Sequence, residues 1–172
     1  MSEFLRGLIR DVPDFPKPGI VFKDITPLLN HAQGLAEAVE AMAEPFRGKV
    51  DTVLGIESRG FIFGAPVAIS LGVGLALVRK PGKLPYDTKA MTYDLEYGTD
   101  TLEIHTDAVP KGGRVVLIDD LLATGGTAAA AVDLVRELGA EIVGASFLIE
   151  LGFLPGRAKV QPVPVHSVIR YD

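Results

Sequence analysis

The chain has no cysteine among its 172 residues, so disulfides and thiolate metal sites are excluded and a reducing compartment suits it. Histidine is nearly as scarce: His31, His105 and His166 stand far apart, without the spacing of a zinc site or a proton relay. No apolar run approaches the roughly 20 residues of a membrane span. The segment Met1-Ser2-Glu3-Phe4-Leu5-Arg6 lacks the apolar core of a secretory leader. Charged residues make up only 23% of the chain and the formal charge is −5, which disfavours a broad nucleic-acid surface but not a local anion site. Repeats, low-complexity tracts and interdomain linkers are missing as well. What remains is 48% hydrophobic and long enough to bury roughly 70% of its unfolded surface. It reads as one domain, 1–172, soluble and cytoplasmic.

Continuous apolar stretches at Thr52–Ile56, Val73–Val78, Arg114–Ile118 and Ile142–Ile149 predict strands buried on both faces. Helical spacing predicts helices over Ala32–Glu44, Gly60–Leu71 and Thr127–Leu138, with Pro45 ending or kinking the first. Alternating βαβ units imply an α/β fold with a central, mostly parallel sheet flanked by helices. In such sheets ligands lie beyond the C-terminal strand ends, where Arg59, Arg79 and Asp119 are expected. Two segments break the pattern. Val12–Asn30 carries Pro13, Pro16, Pro18 and Pro27 and predicts an irregular arm with a short strand at Ile20–Phe22. Between Lys80 and Asp100, Tyr93–Tyr97 alternates like a half-buried strand, Gly98-Thr99-Asp100 reads as a turn, and Leu102 and Ile104 continue a second strand. That makes a long, mobile hairpin lid.

The most informative segment is Val115-Val116-Leu117-Ile118-Asp119-Asp120-Leu121-Leu122-Ala123-Thr124-Gly125-Gly126-Thr127. A β-branched run ends in paired carboxylates and gives way to a small, glycine-rich, hydroxyl-bearing loop that opens a helix. Glycines let backbone amides approach a ligand, and the first amides of a helix favour an anion. Thr124 and Thr127 add hydroxyl donors. Asp119 and Asp120 repel phosphate but accept hydrogen bonds from a diol. A sugar phosphate would use both features together. An Asp-Asp turn beside a tight βα connection is the plainer alternative. No lysine follows the glycines as a Walker loop requires, and no G-x-G-x-x-G is present.

This segment resembles the 5-phosphoribosyl-1-pyrophosphate (PRPP) motif of the type I phosphoribosyltransferases. From about Val12 onward the chain is similar to the adenine-using members of that family. The further carriers are Pro13-Asp14-Phe15-Pro16, Pro18-Gly19-Ile20-Val21-Phe22-Lys23-Asp24-Ile25, Glu57-Ser58-Arg59-Gly60-Phe61, Val78-Arg79-Lys80-Pro81-Gly82-Lys83-Leu84-Pro85 and Leu95-Glu96-Tyr97-Gly98. The resemblance implies a type I phosphoribosyltransferase fold with a small hood from about 1–30 and 150–172 and a lid at about 80–100.

It also implies roles. Ala123, Thr124, Gly125, Gly126 and Thr127 would hold the 5-phosphate, and Asp119 and Asp120 the ribose. Ser58, Arg59, Arg79, Lys80 and Lys83 would hold pyrophosphate, Arg79 and Lys83 by direct contact. Val21, Phe22, Lys23 and Leu151 would enclose adenine, Val21 and Lys23 largely through backbone groups. Glu96 would handle the purine proton, with Tyr97 near the reacting ribose. Many relatives carry Arg where Lys23 stands here. The implied reaction is adenine plus PRPP giving AMP plus pyrophosphate, a step of purine salvage. Mg²⁺ would bind through PRPP, pyrophosphate and water, with no metal ligand supplied directly by the protein. A homodimer is expected, with no nucleic-acid or membrane partner.

Plainer readings stand beside these. Arg59 would be a surface arginine, Glu96 a solvent-facing carboxylate, and Val21, Phe22 and Leu151 simply core. Lys89 matches no motif and reads as surface. The rival functions are a 6-oxopurine or orotate phosphoribosyltransferase, a non-catalytic PRPP-sensing regulator, and plain sugar-phosphate binding.

Overall fold

The computed structural model describes residues 2–94 and 98–172. In chain order these form α1 (Ser2–Gly7), β1 (Arg10–Pro13), β2 (Val21–Asp24), α2 (Thr26–Leu29) and α3 (Ala32–Ala43). Then come β3 (Thr52–Ile56), α4 (Arg59–Leu71), β4 (Gly74–Arg79), β5 (Thr88–Asp94) and β6 (Thr99–His105). The chain continues through β7 (Arg114–Leu122), α5 (Gly126–Glu137), β8 (Glu141–Leu151), α6 (Gly156–Lys159) and β9 (Val165–Tyr171). Pro45 sits in a 3-10 turn, Glu44–Phe46, that finishes α3. His31 caps the start of α3 by accepting from the Gly34 amide at 3.1 Å.

Seven strands form one sheet in the order β5-β6-β4-β3-β7-β8-β9. The five from β4 to β9 are parallel neighbours, and the β5–β6 hairpin is antiparallel. The continuous apolar strands are explained by two cores, one on each face. Val115 and Leu117 join Leu54, Ile56, Phe147 and the inner side of α5. Val116 and Ile118, one residue out of phase, join Val53, Phe63, Val67 and the helices α1, α3 and α4. A strand sends successive side chains to opposite faces, so a helix on each side demands apolar residues at every position.

From β3 the chain crosses over α4 to β4 on one side; from β7 it crosses over α5 to β8 on the other. The order therefore reverses between β3 and β7, which leaves a crevice at their C-terminal ends.

Four details differ from the sequence expectation. β7 runs on to Leu122, because Asp119, Leu121 and Leu122 pair with Phe147, Ile149 and Glu150 of β8. Asp119 and Asp120 thus lie within the strand rather than after it. The hairpin begins at Thr88 and pairs Tyr93 with Asp100 and Asp94 with Thr99, so Thr99 and Asp100 belong to β6 rather than to a turn. The arm holds two paired strands, β1 and β2, in place of one. Finally, Val165–Tyr171 extends the main sheet as its edge strand, so most of the C-terminal segment belongs to the sheet. Its end still reaches the arm: Arg6 Nη2 donates to the Arg170 carbonyl at 2.7 Å, and the Tyr171 ring lies 4.0 Å from Lys23 Nζ.

Candidate active site

The crevice between the ends of β3 and β7 is a cavity of about 430 Å³. Asp119, Asp120 and the whole loop Ala123–Thr127 form one wall, and Ser58, Arg59 and Lys80 form the other. Two helices open into it, α4 after Ser58 and α5 after Gly125, and neither N-terminus receives a side-chain cap. Uncapped first-turn amides, together with the positive end of each helix dipole, suit anionic groups. The cavity therefore has a natural anion seat at each end, with carboxylates between them.

The local backbone explains the residue choices. Gly125 takes φ +80°, a left-handed conformation closed to most side chains. Gly60 lies where α4 meets β7, and a Cβ there would come within 2.9 Å of both Asp119 Oδ1 and the Ile118 carbonyl oxygen. The Glu57–Ser58 peptide that turns β3 into α4 is cis.

The carboxylates sit in unlike surroundings. Burial, reinforced by the neighbouring Asp120 charge, pushes the Asp119 carboxyl well above the ordinary carboxylate range. Burial also raises Asp120, against the pull of Arg59, whose Nε lies 2.7 Å from Asp120 Oδ2. The Arg59 guanidinium also faces the Phe22 ring at 5.6 Å, joining the N-terminal arm to the crevice.

Glu57 organises the cationic side. Its carboxylate accepts from Arg79 Nε at 3.2 Å and from the Lys80 amide at 2.8 Å. Arg79 Nη1 also donates to the Lys83 carbonyl at 3.4 Å. Lys80 Nζ pairs with Asp100. Burial opposes the Lys80 charge, but Asp100 and Tyr93 outweigh it and its pKa is raised. The hairpin closes on the opposite wall through Tyr93, whose hydroxyl donates to Asp100 Oδ2 at 3.2 Å and lies 3.1 Å from Thr127 Oγ1.

Several expected residues lie outside this cavity. Arg79 and Lys83 flank it behind Glu57. Val21 is exposed, and Phe22 faces Arg59 and packs edge-on against Phe15. Leu151 packs against the core on the α4 side. Lys23 points away from the crevice and donates to Asp11 Oδ1 at 2.6 Å. Glu96 and Tyr97 lie outside the described residues. Lys89 approaches Glu137 at 3.9 Å, a surface pair. His105 accepts from the Tyr86 amide and His166 bonds the Ala41 carbonyl, so each histidine has a structural partner.

Glu57, Tyr93 and Asp100 line the cavity without having been singled out from the sequence. Tyr93 carried a usable signal: period two from Met91 places both side chains on the face that packs against α5. Among the described residues no group of three His, Cys, Asp or Glu side chains could hold a metal ion, and no helix is long and apolar enough to cross a membrane.

A model of the phosphoribosyl transferase domain matches residues 22–162. The adenine phosphoribosyltransferase of Thermobifida fusca is 56% identical over 169 residues, covering 98% of this chain and 96% of the relative. The crystal structure of the Thermoanaerobacter pseudethanolicus enzyme of the same name superposes with a TM-score of 0.96 at 51% identity, covering 99% and 100% of the two chains. That of Saccharomyces cerevisiae, complexed with an imino-altritol bisphosphate and adenine, gives 0.92 at 41% identity and 97% coverage of both. With most of its sequence matched to proteins that share one fold and one name, the chain belongs to the adenine phosphoribosyltransferase family.

Proposed function

We propose that the crevice between β3 and β7 transfers the phosphoribosyl group of PRPP to adenine, giving AMP and pyrophosphate. The observation that carries this reading is the cavity itself, with an uncapped helix N-terminus at each end and two carboxylates between. PRPP is phosphate at one end, diol in the middle and pyrophosphate at the other. The loop Ala123–Thr127 takes the 5-phosphate, Asp119 and Asp120 accept from the ribose hydroxyls, and Ser58 and Arg59 take the pyrophosphate.

As the C1–oxygen bond breaks, positive charge grows on the ribose ring. The adjacent carboxylates stabilise it, while N9 of the base attacks the opposite face. The residues act by placement and fixed charge. Arg59 lies between Asp120 and Phe22 here, and its move toward the pyrophosphate frees both for substrate. Lys80 from the cavity wall, and Arg79 and Lys83 from behind Glu57, neutralise the leaving group. Phe22 and Leu151 enclose adenine. Val21 and Lys23 meet its edge through their backbone, since the Lys23 side chain is committed to Asp11 and Tyr171. The adenine held by the yeast relative supports this choice of base. Glu96 handles the purine proton; Glu96→Ala lowers turnover strongly while AMP binding survives. The β5–β6 hairpin excludes water from the developing cation.

Carboxylates are the hard oxygen donors Mg²⁺ prefers, so the cavity suits it. Asp119 and Asp120 would hold the ion through ribose hydroxyls and water, where it supplies charge neutralisation of the phosphates. The protein works in the cytoplasm as a homodimer. Supporting assembly, Ile62 and Ile69 lie seven residues apart on one face of α4, and both are exposed. Sedimentation at twice the 18.3 kDa chain mass checks it.

The deciding experiment offers adenine, hypoxanthine, guanine and orotate separately with PRPP and Mg²⁺, and quantifies each nucleotide and pyrophosphate. AMP from adenine alone is the expected result. Turnover of another base alone would overturn the base pocket, and no turnover would overturn the reaction.

A further inference from the structure

Outside the cavity, Glu150 at the end of β8 is a buried carboxylate, 2% exposed, with four donors around it. Arg157 grips it with two nitrogens, Nε to Oε1 at 2.9 Å and Nη2 to Oε2 at 2.5 Å. Ser167 Oγ donates to Oε2 at 2.6 Å, and Arg170 Nη1 lies 3.3 Å from Oε1. The third Arg157 nitrogen donates to the Val165 carbonyl at 2.9 Å. Burying a carboxylate is costly unless it is fully paired, and breaking one partner away leaves the charge stranded. So complete a set of partners holds its surroundings in one arrangement.

What it holds is α6. This helix is a single turn, too short to be stable by itself. Its first residue, Gly156, forms the back of the phosphate loop. A Cβ on Gly125 would lie 2.6 Å from the Gly156 carbonyl oxygen and 2.9 Å from its Cα. A Cβ on Gly156 would collide with the Ala123 carbonyl oxygen and come within 3.0 Å of Leu122 Cδ1. Backbone therefore rests directly on backbone, with a glycine on each side of the contact. Leu122, the last strand residue before the loop, is the cross-strand neighbour of Glu150. The ion pair thus links the turn that supports the loop to β8, the strand paired with the end of the one that delivers it.

We propose that Glu150 and Arg157 are positioning residues for the phosphate loop: their two-pronged pair clamps α6, so that the Gly156 backbone holds Ala123–Gly125 in the shape that binds the 5-phosphate. This rests on the reading of Ala123–Thr127 as the phosphate seat.

The test uses Arg157→Lys, which keeps the charge and loses the planar fork, Glu150→Gln, and Gly156→Ala, which keeps the ion pair and intrudes on the loop. Circular dichroism and thermal melts establish which variants fold. Folded variants should show the KM for PRPP and the Kd for AMP raised about tenfold or more, since small misplacements of binding groups are amplified in rate and affinity. The KM for adenine and the Kd for adenosine, which has no phosphate, should stay at wild-type values. If Glu150→Gln fails to fold, Arg157→Lys and Gly156→Ala decide. Unchanged PRPP and AMP values in folded Arg157→Lys overturn the proposal, as does an equal loss for AMP and adenosine, which would mark a general structural role. Wild-type protein that binds AMP no tighter than adenosine would refute the phosphate seat itself, and the proposal with it.

Discussion

Gly60→Ala sets two effects of similar size against each other. Gly60 is the second residue of α4, and alanine there gains up to about 1 kcal/mol of helix propensity. The added methyl, however, would stand 2.9 Å from the Ile118 carbonyl oxygen and from Asp119 Oδ1. Neither yields easily. Ile118 is paired on both sides, with Gly55 of β3 and Ser146 of β8. Asp119 Oδ1 accepts from the Asp120 amide at 2.8 Å. Overpacking of this kind costs about 1–3 kcal/mol, so the expected net result is a loss of about 0–2 kcal/mol rather than a gain. Relief comes by displacing the start of α4 or the Asp119 carboxylate, and both belong to the proposed PRPP site. A displacement near 1 Å lowers kcat/KM for PRPP by roughly a hundredfold. Urea denaturation read by circular dichroism gives the stability, and initial rates with each substrate varied give the kinetics. A variant more stable than wild type with unaltered PRPP kinetics would refute both the steric reasoning and the placement of Asp119 against α4.

Three further substitutions probe the same surroundings. Asp119 has a folded pKa above its unfolded value, so its contribution to stability is present at low pH and lost as pH rises through the raised value. Asp119→Asn cannot ionise, so its melting temperature should gain on wild type from the carboxylate range toward neutrality while PRPP turnover collapses. A pH-independent difference in melting temperature would contradict this. Tyr93→Phe removes the hydroxyl that ties the hairpin to Thr127 of α5 and, within the hairpin, bonds Asp100. At about 0.5–1.5 kcal/mol per hydrogen bond, KM for PRPP should rise about threefold to tenfold, with PRPP hydrolysis detectable when adenine is withheld. Tight, hydrolysis-free binding would show that this contact does not hold the lid. Lys23→Met removes a side chain bound to Asp11 and facing Tyr171, so the KM for adenine should not change. A marked rise would mean that the ammonium group reads the base.

The parallel sheet was legible because burial on both faces forces an uninterrupted apolar run, as Val115–Ile118 shows. The loop Ala123–Thr127 was legible as a glycine-rich start of a helix for a different reason: glycine at a left-handed position, paired carboxylates and a helix start each leave a compositional mark. The strand Val165–Tyr171 left none. It is an edge strand with His166, Ser167 and Arg170 interleaved among apolar residues, and its partner is reached only by a crossover through α6. The extension of β7 through Asp119 and Asp120 was hidden because carboxylates are poor strand formers, and the ladder to β8 overrides that local preference. Glu57 and Asp100 owe their places to partners 23 and 20 residues away, which no local pattern encodes.

The two cores on opposite faces of the sheet give the crevice divided foundations. Helix α5, which begins at the loop Ala123–Thr127, beds on Leu54, Ile56 and Leu117; helix α4, which begins at Arg59, beds on Val53, Val116 and Ile118. A change in packing beneath one helix reaches one end of the proposed PRPP site and leaves the other on its own support. Variation in the interior can therefore tighten the grip on the sugar phosphate or loosen the release of pyrophosphate separately. A chain built this way can retune its affinity for substrate and its rate of product release as independent traits, without altering any residue that touches either.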